Sequence, residues 1–187
     1  TNQWYAIAKI SGIKLCEALK KQYGFNAISL MPTNLYGPGD NYDEMNSHVL
    51  ASFIRRFHKA KMEKSESVTC WGTGTPRREF LHVEDLGNAI LFVLENWDIK
   101  SDLIPLNLNG ETLSHLNVGT GKDISIKELA HLVAEIIGFK GTIKWDKSVP
   151  DGTPRKLLDI SRIKNFGWSP QINFYDGLKL TIEKYER

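Results

Sequence analysis

The sequence has 187 residues, of which 41% are hydrophobic, and its 24 Lys and Arg against 22 Asp and Glu give a formal net charge of +2. This length supports one or two domains with a real core, while the charge suits an anionic small molecule and excludes a typical nucleic-acid surface. Because no apolar run spans a bilayer and the two cysteines and five histidines show no disulfide or ligand pattern, we expect a cytoplasmic protein without membrane or metal partners.

The first predicted element is a helix that ends near Tyr23, with Gly24 as its cap. Tyr5 and Lys9 lie four residues apart and share one face of this helix. An ammonium beside a phenol favours phenolate and lowers its pKa, so the pair is a candidate acid/base device, although such pairs are often ordinary surface neighbours. The apolar stripe that predicts the helix consists of Ala8, Gly12, Leu15 and Leu19.

A short apolar run over residues 25–31 predicts a strand that Pro32 stops. Residues 32–41 form a dense loop of Pro, Gly and polar side chains, among them Thr33 and Asn34. In an open α/β sheet the loops at the carboxyl ends of the strands line the ligand crevice. The loop is therefore either a set of turn formers or a binding segment.

Residues 46–61 predict a helix capped by Asn46 or Ser47. Strands are expected at 67–71 and 77–83, joined by the tight turn 72–76, and a helix follows from Asp85. The stretch 96–111 lacks periodicity and is expected to be a surface loop.

The remaining chain predicts further alternation of strands and helices, which is typical of an α/β protein. Ser125 and Glu128 form a capping box that opens a helix to Gly138. Asp159 is expected to cap a short helix that ends at Phe166. The other expected segments are strands at 113–118 and 142–145, an irregular loop at 150–156 and a last helix at 174–186.

The motifs resemble, in order, those of the extended short-chain dehydrogenase/reductase family and, within it, the GDP-L-fucose synthase subfamily. They are Tyr-Ala-Ile-Ala-Lys, Met-Pro-Thr-Asn-Leu-Tyr-Gly-Pro, Asn-Ser-His-Val, Trp-Gly-Thr-Gly-Thr-Pro, Arg-Glu-Phe-Leu-His-Val and Pro-Asp-Gly-Thr-Pro-Arg-Lys-Leu-Leu-Asp. The resemblance implies the C-terminal part of a Rossmann-like fold. Residues 1–40 would be a remnant of the NADP-binding domain. Residues 41–187 would mainly form the small GDP-sugar-binding domain, with some segments returning to the Rossmann sheet.

The activity implied by this resemblance is an NADPH-dependent 3,5-epimerase/4-reductase that converts GDP-4-keto-6-deoxy-D-mannose to GDP-L-fucose. Tyr5 would protonate the sugar C4 oxygen, and Lys9 would keep Tyr5 acidic and bind the nicotinamide ribose. His48 would be the acid of the epimerisations and would also adjoin the cofactor. The segment against the nicotinamide would be Pro32, Thr33, Asn34 and Leu35.

Other residues match positions that hold the GDP-sugar. The resemblance assigns this role to Arg56, Trp71, Arg78 and Lys156, with Asp151 as a contact to the nucleotide ribose. Arg and Lys suit a diphosphate because they form charge-assisted hydrogen bonds with it. Arg55 and Arg77 are interpreted as solvated neighbours. A homodimer is implied, because the Tyr-x-x-x-Lys helix of this family packs against its copy in a partner.

The resemblance also places the glycine-rich phosphate loop, the catalytic serine and the cysteine base of the epimerisation upstream of residue 1. We therefore expect the chain to be a fragment that is inactive alone. Two alternatives remain open. One is another nucleotide-sugar epimerase or dehydratase that uses the same Tyr/Lys pair. The other is a non-catalytic GDP-sugar-binding fragment.

Overall fold

The computed structural model describes residues 2–186, in which helices alternate with short strands. The helices are α1 (Gln3–Tyr23), α2 (Val49–Met62), α3 (Val83–Asn96), α4 (Ile126–Ile137), α5 (Ser161–Phe166) and α6 (Phe174–Tyr185). The strands are β1 (Ser29–Pro32), β2 (Asn34–Tyr36), β3 (Ser67–Trp71), β4 (Arg77–His82), β5 (His115–Val118), β6 (Asp123–Ser125), β7 (Thr142–Asp146) and β8 (Arg155–Lys156). The α/β class predicted from the sequence is confirmed.

Most strand pairs are parallel. β1 pairs with β5 so that Pro32 lies opposite Val118, and β3 pairs with β7. β4 pairs in parallel with β2 and β8 and antiparallel with β6. Because parallel strands end at the same edge, the residues that follow β1 and β5 meet at one crevice, which is where ligands bind in open α/β sheets.

Two hydrophobic cores lie on opposite faces of β4. Phe80 belongs to the core that joins α2, α4 and α6 to β3 and β7. The next residue, Leu81, belongs to the core formed with α3, α5 and β5. Since side chains alternate between the two faces of a strand, one short strand serves both cores and fixes their relative position.

The predicted helix ends agree with the structure at several points. Gly24 adopts a left-handed conformation with φ 65° and closes α1 through its N–H. The capping box of α4 is complete, because the Glu128 N–H donates to Ser125 Oγ at 3.1 Å and the Ser125 N–H donates to Glu128 Oε2 at 2.9 Å. Gly138 ends α4 with φ 80°.

The start of α2 was predicted incorrectly. Neither Asn46 nor Ser47 caps it, because the helix begins at Val49 and His48 occupies the N-cap position. The carboxylate of Asp43 accepts the N–H groups of Met45 at 2.9 Å and Asn46 at 2.8 Å. This local turn competes with helix formation, and the N-cap lies one to two residues later than predicted.

Several other boundaries differ from the predictions. The first strand begins at residue 29 and ends at residue 32 instead of covering 25–31, and the loop expected at 32–41 contains β2. α3 starts at Val83, ahead of Asp85, because the ring of His82 accepts the Glu84 N–H at 3.3 Å. Ile160 is the N-cap residue of α5, although Asp159 still accepts the Ser161 N–H at 2.9 Å.

Helix α1 packs loosely against the rest of the described chain. None of the residues assigned to it is buried, and Ala8, Gly12 and Leu15 of the predicted core-facing stripe are exposed. The large apolar side chains that α1 exposes are Trp4, Tyr5, Ile7, Ile10, Leu15 and Tyr23. Over residues 2–186 no helix is both long and apolar enough to cross a membrane.

Candidate functional site

The Tyr5–Lys9 pair lies in the first half of α1. The Lys9 ammonium is 5.3 Å from the centroid of the Tyr5 ring, which is the separation of a cation–π contact. Tyr5 is 61% exposed, so its hydroxyl is open to a ligand. Within residues 2–186 neither side chain makes a hydrogen bond or ion pair with the segment that follows β1.

The segment at the carboxyl end of β1 is held firmly in place. The Thr33 N–H donates to the Val118 carbonyl at 3.0 Å and so extends the pairing with β5. Thr33 Oγ1 at 3.2 Å and Asn34 Nδ2 at 2.8 Å both donate to the Glu79 carbonyl. Pro32 and Asn34 are exposed at this edge and Thr33 and Leu35 are half-buried. The amide oxygen of Asn34 remains available to a ligand.

His48 lies at the start of α2 with an exposed side chain. Its carbonyl accepts the Ser52 N–H at 2.8 Å, while its imidazole makes no capping hydrogen bond. The ring is therefore free to exchange protons with a ligand. Arg56 lies about 12 Å further along the same helix and donates to the Thr69 carbonyl of β3. That carbonyl is two residues before Trp71, so α2 and β3 bring two of the predicted substrate residues together.

Arg78 and Lys156 are direct neighbours across the parallel pairing of β4 and β8. Paired residues project on the same face of a sheet, and adjacent strands are about 4.8 Å apart. Arg78 Nη1 donates to the Arg77 carbonyl at 2.8 Å, and its guanidinium leaves little room beside Gly152. Lys156 is exposed. The pair thus presents two cations that can contact one diphosphate.

Asp151 joins the turn after β3 to the loop before β8. It accepts the Thr73 N–H at 2.9 Å and the Thr73 hydroxyl at 2.6 Å, and these hydrogen bonds hold the pKa of its carboxyl below the usual range. Gly72 has φ 79°, and a Cβ there would lie 2.3 Å from Asp151 Oδ1. In this structure Asp151 therefore positions the turn beside Trp71, whose side chain is 70% exposed.

The interpretation of Arg55 as a solvated residue was wrong, because only 18% of its side chain is exposed, whereas Arg77 is 41% exposed but makes ion pairs. Arg77 Nε donates to Asp123 Oδ1 at 2.8 Å, and Arg155 Nε donates to Asp123 Oδ2 at 2.5 Å. The hydrogen bonds from Arg155 and then Arg77 hold the pKa of the Asp123 carboxyl below its usual range. Arg55 Nη1 lies 3.7 Å from the Glu44 carboxylate. A single sequence cannot show such long-range partners.

Sequence reasoning missed three buried polar residues of the segment 79–85. Glu79, His82 and Asp85 are each at most 1% exposed. Asp85 accepts the N–H groups of Gln171 and Ile172, both at 3.0 Å. His82 caps α3 and packs edge-on against Tyr36 with ring centroids 5.3 Å apart. Burial raises the pKa of the Tyr36 hydroxyl above its ordinary value, and the nearby charge of Asp85 adds to this effect.

These residues could have been singled out in the sequence because they are polar and lie in β4 and at the start of α3. A buried strand with charged side chains requires partners for them. No cluster of three or more potential metal-ligating side chains occurs within residues 2–186.

The fold and this arrangement of residues define a class of protein. The sequence profile of the NAD dependent epimerase/dehydratase family matches residues 1–107. The chain belongs to this family.

Particular relatives are more similar still. The chain is 50% identical over 185 residues to GDP-L-fucose synthase 1 of Arabidopsis thaliana, a match that covers 99% of the chain and 53% of the relative. It is 49% identical over 183 residues to GDP-L-fucose synthase of Escherichia coli K12, with 98% of the chain and 56% of the relative covered. The chain spans about half the length of the curated relatives it matches.

Solved structures show the same fold. A GDP-mannoheptose C4 reductase from Campylobacter jejuni, solved with NADP bound, superposes with a TM-score of 0.81 at 39% identity. That match covers 97% of this chain and 56% of the reductase. The Rossmann-like α/β fold predicted from the sequence is thereby confirmed.

Proposed function

We propose that this chain carries the acid–base and GDP-sugar-binding residues of a GDP-L-fucose synthase, which reduces and epimerises GDP-4-keto-6-deoxy-D-mannose with NADPH. The observation that carries the proposal is the side-by-side placement of Arg78 and Lys156, with Trp71 and the Thr73–Asp151 contact on the neighbouring turn. A diphosphate needs paired cations, and a nucleotide sugar needs an apolar wall beside them. The identity of about 50% to GDP-L-fucose synthases supports the assignment.

The residues at the carboxyl end of β1 would hold the nicotinamide end of the cofactor. Thr33 and Asn34 are fixed by the Glu79 carbonyl, while the exposed hydroxyl of Tyr5 and the ammonium of Lys9 supply a proton donor and a cation. When bound, NADPH supplies a hydride for the sugar C4. Tyr5 donates its proton to the C4 oxygen, and Lys9 stabilises the phenolate that remains.

Epimerisation at C3 and C5 needs a proton donor on the opposite face from the base. His48 serves as this donor, because its imidazole is exposed and makes no capping hydrogen bond at the start of α2. Cys70 is unsuited to be the base, since it is fully buried in β3 and burial raises the pKa of its thiol. Cys16 is on α1 and lines a cavity with residues 111–115, which precede or begin β5, at the opposite end of that strand from the crevice.

A homodimer is also proposed, formed through the exposed apolar side chains of α1. Burying side chains such as Ile7 and Ile10 against a second copy would stabilise the dimer by about 25 cal/mol for each Å² of apolar surface removed from water. A cytoplasmic location is proposed because Cys16 and Cys70 are free thiols.

The test is an assay of the whole encoded protein with GDP-4-keto-6-deoxy-D-mannose and NADPH in D2O. The proposal expects NADPH oxidation together with solvent deuterium at C3 and C5 of the product. Reduction without deuterium at these carbons would indicate a plain 4-reductase. The absence of NADPH oxidation would refute the reductase assignment.

An alternative is a related GDP-sugar enzyme with a different substrate. It is favoured by 37% identity, over 186 residues, to a GDP-L-colitose synthase of Yersinia pseudotuberculosis. A purely GDP-binding module is the other alternative. Calorimetry of the whole encoded protein with GDP and with NADPH distinguishes it, since a binding module would take GDP but not NADPH and would turn over no keto sugar.

A further inference from the structure

The buried side chain of Glu79 has no role in the acid–base or substrate-binding chemistry described above. It is 0% exposed and lies in the middle of β4, next to Arg78. A buried carboxylate is costly unless hydrogen-bond donors surround it. Glu79 has such donors, and they come from distant parts of the chain.

The two carboxylate oxygens hold two different segments. Oε1 accepts the N–H groups of Thr120 at 2.6 Å and Gly121 at 2.7 Å, in the turn that follows β5. Oε2 accepts the Leu158 N–H at 2.9 Å. Leu158 is two residues after Lys156. The carboxylate therefore ties the segment that bears Lys156 to the carboxyl end of β5.

The backbone of the same residue holds the cofactor side. The Glu79 carbonyl accepts Thr33 Oγ1 and Asn34 Nδ2. The fit is close, because a Cβ at position 119 would come within 2.3 Å of Glu79 Oε1, and only glycine has none. Glu79 thus contacts three segments: residues 33–34 on the cofactor side, the turn at 120–121, and Leu158, which follows Lys156.

We infer that Glu79 is a positioning residue that fixes Lys156 and its partner Arg78 relative to the cofactor-facing segment 32–35. This inference rests on the proposed function. The carboxylate aligns the GDP-sugar side, and the carbonyl aligns the cofactor side. GDP binding therefore depends on the Glu79 carboxylate, and NADPH binding depends on the Glu79 carbonyl.

Glu79→Gln separates these two parts. The amide oxygen can keep the Thr120 and Gly121 donors, but the amide nitrogen then faces the Leu158 N–H, and two donors cannot bond each other. The segment at 156–158 is released, while the Glu79 carbonyl is unchanged. The dissociation constant for GDP should rise by up to roughly fivefold, the loss expected when the exposed Lys156 is removed outright, and that for NADPH should change less than about twofold.

The measurement is calorimetry of the whole encoded protein with GDP and with NADPH, and Glu95→Gln, an exposed carboxylate on α3, is the control. A merely structural role would weaken both ligands together, so an equal loss of GDP and NADPH affinity would overturn the inference. Unchanged GDP affinity would overturn it as well. If GDP binding behaves as expected but the unaltered protein does not turn over the keto sugar, only the proposed function fails.

A second measurement applies even where Glu79→Gln does not fold. Amide hydrogen exchange of the unaltered protein should show Thr120, Gly121 and Leu158 protected, since each donates to a buried carboxylate. The amides of the neighbouring exposed loop, such as Gly152 and Thr153, serve as the reference for unprotected exchange. Exchange of Leu158 as fast as this reference would refute the role of Glu79.

Discussion

Replacing Arg78 tests the proposed diphosphate site most directly. Arg78 is half-buried at the side of Gly152 and Lys156 is exposed, so the guanidinium is less screened by water than the ammonium. A hydrogen bond to a charged group contributes about 1.5–3 kcal/mol, so Arg78→Ala should weaken GDP binding by roughly 10- to 150-fold. Lys156→Ala should cost about 1 kcal/mol, or roughly fivefold, as is usual for exposed ion pairs.

The assay is isothermal titration with GDP at low and at high salt. Salt should reduce the difference between the unaltered protein and each variant, because it screens exposed charges. Arg155→Ala is the matched control, since Arg155 adjoins Lys156 on β8 but projects on the other face, to Asp123. The reasoning is refuted if Arg78→Ala binds GDP normally, or if Arg155→Ala loses as much affinity as Arg78→Ala.

Three further predictions concern the acid of epimerisation, acid stability and helix ends. His48→Asn should abolish deuterium uptake at C3 and C5 while 4-reduction of an epimerised substrate persists; loss of both by the same factor contradicts the assignment. Because the folded-state pKa of Asp123 is depressed, its contribution to stability is present above the unfolded pKa of about 3.9 and is lost as pH falls through the lower folded value. Urea midpoints of the unaltered protein and Asp123→Asn should therefore converge below about pH 4, and a constant difference down to pH 2 would argue against the ion pairs. Gly138→Ala, at φ 80°, should lower the free energy of unfolding by about 1 kcal/mol, whereas Gly87→Ala, with nothing within 4 Å, should raise it by up to about 1 kcal/mol; the same sign for both would refute the left-handed cap.

The sequence predicted those features that depend on neighbouring residues. The Gly24 and Gly138 caps and the Ser125–Glu128 box are local, and local conformational preference alone determined them. The prediction of the start of α2 failed because Asp43 accepts the N–H groups of Met45 and Asn46, and this turn competes with the helix. That competition is also local, but its outcome depends on which of two hydrogen-bonded turns is more stable.

The candidate site was predictable only as a set of residue types. Tyr5, His48 and Arg78 could be singled out because their chemistry suits the reaction. The contacts of Glu79 and Asp123 join residues more than 30 positions apart. Such pairs leave no periodic trace in one sequence, since their partners are selected by the tertiary fold.

The pairing of β4 has a consequence for how the chain acquires its structure. β4 adjoins β2, which precedes it by about 40 residues, and β8, which follows it by nearly 80. Closing such long loops is slow, because chain entropy is lost before the contacts form. During synthesis α2 and α3 can each form as a helix early, whereas Arg78 must wait for Lys156 to emerge. The ligand site is therefore expected to mature after these local helices, at a late kinetic step that a bound nucleotide could accelerate.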